Sequence, residues 1–170
     1  MDHFARLGLP AALDIEAATL DRTYFAAQRQ WHPDRFVGRP PEERAKASTE
    51  AAALNDAYRI LKNPLSRAVY FAELNGVELP GDGKTIDDPE LLMEAMEARE
   101  ALHETVTPEA VDALAARARQ DMEQALAGLG TLFLRSDKAA IRKALLRLRY
   151  LDKFDEEARA KRMNLQRVKA

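Results

Sequence analysis

An all-α chain of two helical units is predicted by three observations. Apolar residues recur at i, i+4, i+7 and i+11 in several segments, proline stands where the first turns of those segments would fall, and glycines cluster between them. Seven glycines occur in 170 residues, and Gly76, Gly81 and Gly83 crowd beside Pro80. Asn75 to Asp88 is therefore the strongest boundary, and the expected division is residues 1–75, a linker at 76–88, and residues 89–170.

In the first unit, Asp14 is a plausible N-cap for a helix running to about Trp31, because Leu20, Tyr24, Ala27 and Trp31 line one face. Arg22 and Arg29 project to the opposite side, about 180–200° from Leu20, which gives a basic solvent face. A second helix is expected from Pro41, with Glu42 and Glu43 against its positive N-terminal end, to about Lys62. Its stripe is Ala47, Ala51, Leu54, Tyr58 and Leu61, so the two helices pack as an antiparallel hairpin around the loop from His32 to Pro40. A shorter helix from Pro64 to about Leu74 completes the unit.

The second unit is expected to be a three-helix antiparallel bundle. Its first helix runs from about Pro89 to Glu104. Thr107-Pro108 is a cap and first turn for the next, with Val111, Leu114, Ala118, Met122 and Ala125 on one stripe. Gly128-Leu129-Gly130 is read as the turn that follows, and Ser136 as the cap of a final long helix with core residues Ile141, Ala144, Leu145, Leu148 and Leu151.

Composition narrows the chemistry. A content of 46% hydrophobic and 32% charged residues describes a globular, water-soluble chain. No stretch approaches about 20 uninterrupted apolar residues, and the N-terminus lacks the pattern of a secretory or transit peptide, so the cytoplasm is the expected location. The absence of cysteine removes disulfides, thiolate metal or cluster ligation and a cysteine nucleophile. Three scattered histidines and no glycine-rich phosphate loop leave no catalytic residue, metal site or cofactor to nominate. With 26 basic and 28 acidic residues the net charge is −2, and the first half to Gly76 is balanced. Neither nucleic acid nor a membrane is an expected partner.

Two features carry function. The first is His32-Pro33-Asp34 at the hairpin tip, where proline fixes φ and removes a backbone donor between an imidazole and a carboxylate. Alone, the tripeptide is most simply a helix-terminating turn. It follows a basic-faced helix, however, and precedes a helix ending Leu54-Asn55-Asp56-Ala57-Tyr58-Arg59-Ile60-Leu61-Lys62-Asn63-Pro64, and that combination resembles the J domain, the co-chaperone module that stimulates ATP hydrolysis by DnaK-type chaperones. The resemblance implies chaperone contacts for His32, Pro33 and Asp34, with Arg22, Arg29 and Arg35 as docking charges. Phe25 and Ala26 stand where J domains usually carry further cations, which implies docking that is either weaker or tuned to a specialised chaperone.

The second feature is the helix from about Pro89 to Glu104. Leu91, Ala95, Ala98 and Leu102 form an ordinary core stripe, whereas Leu92, Met93 and Met96 occupy a second arc fringed by Glu97, Glu100 and Glu104. Internal packing would account for such an arc; a partner surface would account for it equally, since methionines adapt to partners and a charged rim orients them. On the last helix, Leu146, Tyr150 and Phe154 lie off the core stripe, which leaves room for an aromatic there to extend the same surface.

Asp2 to Pro10, Gln28 to Asp34, Asn63 to Ala68, Leu92-Met93-Glu94 with Arg99-Glu100, and Leu148 to Lys153 together resemble the HscB family, J-type co-chaperones of iron–sulfur cluster assembly. The resemblance spans nearly the whole chain in order. It implies an L-shaped molecule, an HscA-type DnaK-like chaperone as one partner, and an IscU-type scaffold protein as the other. The implied scaffold-binding residues are Leu92, Met93, Met96, Glu97, Glu100, Glu104 and Tyr150. Eukaryotic members with a cysteine-rich metal-binding segment are not matched, so the simpler bacterial form without metal is implied. A general J-domain co-chaperone with another client is the alternative.

Overall fold

Seven α-helices and no strand make up residues 1–81 and 86–168, which the computed structural model describes. The chain divides into two compact units, Met1–Leu74 and Asn75–Ala170.

The first unit opens with a short helix α1 (His3–Arg6), capped by Asp2, whose Oδ1 accepts from the Ala5 N–H at 2.8 Å. Helix α2 spans Ala17–Trp31 and starts three residues after Asp14, with Glu16 at the N-cap and no side-chain cap. The expected Asp14 cap fails because its neighbours are engaged otherwise. The Leu13 carbonyl accepts from Arg67 Nε at 2.5 Å, and Ile15 packs on the core, which keeps this stretch out of the helix. Helices α3 (Pro41–Lys62) and α4 (Pro64–Leu74) begin at the prolines that predict them.

Helices α2 and α3 pack antiparallel, with the Tyr24 and Tyr58 rings stacked at 3.9 Å and the Tyr58 hydroxyl donating to Asp21 at 2.7 Å. Phe4, Leu7, Leu20, Leu54, Ala57 and Leu61 are buried between them and α1, with Tyr70 and Phe71 of α4 against the cluster. Each fully buried leucine or phenylalanine of this cluster contributes roughly 1.5–3 kcal/mol when it leaves water. Arg67 ties the unit together, since its Nη1 also donates to the terminal carbonyl of Leu61 at 2.7 Å; burial lowers its pKa from the ordinary guanidinium value.

In the second unit, α5 (Pro89–Glu104) is capped by Asp88, whose carboxylate accepts from the N–H groups of Glu90 and Leu91. Thr107 caps α6 (Pro108–Leu134), and α7 runs Lys138–Val168. The Gly128-Leu129-Gly130 turn is a wrong reading: α6 passes through it. Two interior glycines cost about 1 kcal/mol each against alanine, but Leu129 is 1% exposed and its burial holds the helix on course.

The turn comes at residues 135–137. Ser136 adopts φ 53°, its N–H donates to the Phe133 carbonyl at 3.0 Å, and Asp137 N–H donates to that of Leu132 at 3.2 Å, the two bonds of a Schellman closure. Ser136 thus ends α6, and Asp137 caps α7 by accepting from Ala140 N–H at 3.0 Å.

Helices α6 and α7 are antiparallel, joined by Arg119–Asp155 at 2.8 Å and Arg162–Asp112 at 2.5 Å. Helix α5 runs parallel to α7, because α6 reverses the chain between them; Arg147–Glu94 at 2.6 Å and Arg99–Glu157 at 2.8 Å record the register. Flanked by two helices, α7 buries a wider arc than one stripe. Leu146 and Phe154, expected outside the core, are both buried, Phe154 in the cluster of Leu102, Val111, Ala115 and Leu151. Residues 76–81 of the expected linker are held against α7: Val77 is buried, and Arg142 and Arg149 donate to the carbonyls of Glu78 and Pro80. Gly83 of that linker lies outside the described residues.

Candidate functional site

Two exposed surfaces, one in each unit, carry the residues nominated from the sequence. The first begins where α2 ends. His32 is the C-cap of α2 and the start of a 3₁₀ turn, Pro33–Phe36. Proline at its first position needs no N–H partner, and the backbone closes through Arg35 N–H on the His32 carbonyl at 3.0 Å.

His32 Nδ1 accepts from Asp34 N–H at 3.3 Å. With Nδ1 occupied as an acceptor, the neutral ring carries its proton on Nε2. The same Nδ1 lies 3.6 Å from Asp34 Oδ2, a contact that becomes an ion pair only on protonation. Both side chains are largely exposed. The loop thus offers a partner an imidazole N–H donor and a carboxylate acceptor across a rigid proline.

Two contacts that sequence reasoning missed hold this turn. The Phe36 ring lies parallel to that of Trp31 at 6.1 Å, and Lys46 Nζ of α3 sits 5.9 Å from the Trp31 ring centroid. Arg35, nominated as a docking charge, also donates to the Arg29 carbonyl at 3.1 Å, which caps the last turn of α2. An aromatic pair five residues apart across a predicted turn was the available signal. Arg22 and Arg29 are exposed, and neither has a carboxylate partner among the described residues.

The second surface is the outer face of α5. Leu91 and Leu102 are buried and Ala95 and Ala98 half-buried, as the core stripe predicts. Leu92 is half-buried, while Met93 and Met96 are each 63% exposed. Glu97, Glu100 and Glu104 are exposed without an ion-pair partner among the described residues. The remaining charges of α5 behave differently: Glu90, Glu94 and Arg99 are all paired to α7. The helix therefore divides its charges between a neutralised flank and an acidic, open one.

Tyr150 stands apart from the other six residues. It is half-buried against the Leu102 cluster, and its hydroxyl donates to Glu94 Oε1 at 2.5 Å beside Arg147. Burial, with the Glu94 carboxylate as second cause, pushes its pKa up to about 12. Its structural role is to brace α7 against α5.

Among the described residues no group of three or more His, Asp or Glu side chains is placed to hold a metal ion, and no helix is long and apolar enough to cross a membrane.

The co-chaperone protein HscB homolog of Cupriavidus taiwanensis is 40% identical over 159 residues, covering 92% of this chain and 90% of that protein. The chain belongs to the HscB family. A second HscB homolog, from Bordetella petrii, is 40% identical over 165 residues and covers 95% of this chain and 96% of its own. The solved structure of chaperone HscB from Vibrio cholerae superposes with a TM-score of 0.83 at 31% identity, covering 97% and 99% of the two chains. Human co-chaperone protein HscB gives 0.88 at 26% identity, over 96% and 83%. The family model described as the HSCB C-terminal oligomerisation domain matches residues 87–159. The HscB relatives bear out the expected all-α J domain with its C-terminal helical bundle. The 87–159 segment contains all seven residues nominated on the second surface.

Proposed function

We propose that this HscB-family chain stimulates ATP hydrolysis by an HscA-type, DnaK-like chaperone and delivers to it an IscU-type scaffold protein during iron–sulfur cluster assembly in the cytoplasm. His32, Pro33 and Asp34 engage the chaperone, with Arg22, Arg29 and Arg35 docking against an acidic surface. Leu92, Met93 and Met96 hold the scaffold inside the rim of Glu97, Glu100 and Glu104, with Tyr150 at its border. The chain makes and breaks no bond itself and uses no cofactor. It biases which of two chaperone states captures the client.

One observation carries this reading: each unit leaves unneutralised charge of one sign on an exposed helix face, cationic on α2 and anionic around exposed methionines on α5. Two such faces of opposite charge support the reading that the chain brings two different partners together.

A paired measurement tests it. His32→Gln should reduce stimulation of the chaperone's steady-state ATPase to near the basal rate; wild-type stimulation would refute the role of the loop. Leu92→Ala/Met96→Ala should weaken calorimetric binding of the scaffold by at least about 1–2 kcal/mol, five- to thirtyfold. Unchanged affinity would refute the role of this patch in holding the scaffold.

A further inference from the structure

Phe25 of α2 is 56% exposed and lies outside the buried cluster that takes in Tyr24, Trp31 and Tyr58. Its ring is 5.2 Å from that of Tyr24, tilted by 56°. A lone exposed apolar side chain is ordinary; the setting of this one is not. Arg22 stands three residues before it and Arg29 four after, so the three share one face within about 60° at 100° per residue. Neither arginine has a carboxylate partner among the described residues; Arg22 donates to the Thr19 hydroxyl at 3.4 Å.

The acids of this helix are engaged elsewhere. Asp21 accepts from Tyr58 at 2.7 Å and faces Lys62 at 3.6 Å, and the N-cap Glu16 accepts from Thr19 at 2.5 Å. Ala18 and Ala26, both exposed, complete the face with side chains too small to cover the ring. A phenyl group therefore projects between two uncompensated cations on the helix that ends at His32.

The geometry points to Phe25 as an apolar anchor and specificity determinant of the chaperone-docking face, filling an apolar depression rimmed by carboxylates on the ATPase partner. The inference rests on the chaperone-binding role proposed above and adds to it a residue and a chemistry. Cations steer and orient an encounter but lose strength as salt rises. A desolvated aromatic at the centre of a polar rim supplies the short-range part, which salt does not screen. A chaperone whose acidic surface is flat and hydrated gains nothing from the ring, so Phe25 selects among DnaK-like partners.

The test is the concentration of the full chain that gives half-maximal stimulation of the HscA-type ATPase, measured at low and high salt. Phe25→Ala should raise it about tenfold by the same factor at both, with maximal stimulation unchanged. Phe25→Leu should recover most of the loss, and Arg22→Ala/Arg29→Ala should give a shift that shrinks at high salt. Thermal melting of Phe25→Ala should stay close to wild type, because the higher helix propensity of alanine offsets the loss of the one ring contact with Tyr24. The inference is overturned if Phe25→Ala behaves as wild type in an assay where His32→Gln has lost stimulation, or if the maximum falls while the half-point stays. Should His32→Gln still stimulate fully, the underlying chaperone reading fails and this one with it.

Discussion

His3 shows how one side chain couples the fold to pH. Its ring lies 4.5 Å from that of Tyr70, its backbone N–H donates to the Tyr70 hydroxyl at 3.0 Å, and its Nδ1 is buried without a hydrogen-bond partner. Desolvation, then the Arg6 charge, lowers its pKa below the ordinary 6.5. The unfolded chain therefore binds a proton more readily than the folded one. The stabilising contribution is complete above about pH 6.5 and is lost as pH falls through the depressed folded value. Urea midpoints of wild type and His3→Phe compared down this range should diverge, the variant losing less; parallel curves would show that His3 does not set the slope. At the same scale, His32-Pro33-Asp34 was legible as a local string, whereas the Trp31–Phe36 stack that supports it was not. Helical spacing says nothing about which rings meet across a turn.

Helix faces were the most legible level, because each depends on a period within one segment. The exposed and buried arcs of α2, α3 and α5 fall where their spacing puts them. Boundaries set by distant contacts were not legible. Arg67 moves the start of α2, and the burial of Leu129 carries α6 through two glycines. Likewise α7 buries Leu146 and Phe154 because two helices flank it, which its own sequence does not record. A methyl group added at Gly128 would meet no heavy atom within 4 Å, and the backbone there is ordinary helix. Gly128→Ala should accordingly stabilise the chain by up to about 1 kcal/mol, read as a higher melting temperature. A lower one would mean that the groove it lines with Leu91, Leu132 and Ala144 needs to stay open.

For the whole chain, a net charge of −2 conceals two opposed local fields. If the two surfaces serve different partners, charge reversal on one should leave the other untouched. Glu100→Lys is expected to slow scaffold association about tenfold at low salt, with the difference shrinking as salt rises. Stimulation of the chaperone without scaffold should be unaffected. An equal loss in both assays would argue against separate sites.

The exposure of Met93 and Met96 has a consequence in redox chemistry. All sulfur in this chain is methionine, and the two thioethers of α5 stand in water at the centre of the proposed scaffold surface. Oxidation to the sulfoxide adds one polar oxygen to each sulfur without breaking the chain, and methionine sulfoxide reductases reverse it. Mild peroxide should therefore weaken scaffold binding reversibly while leaving ATPase stimulation intact, and Met93→Leu/Met96→Leu should resist the loss. The proposed delivery of the scaffold would then be suspended under the oxidising conditions that destroy clusters.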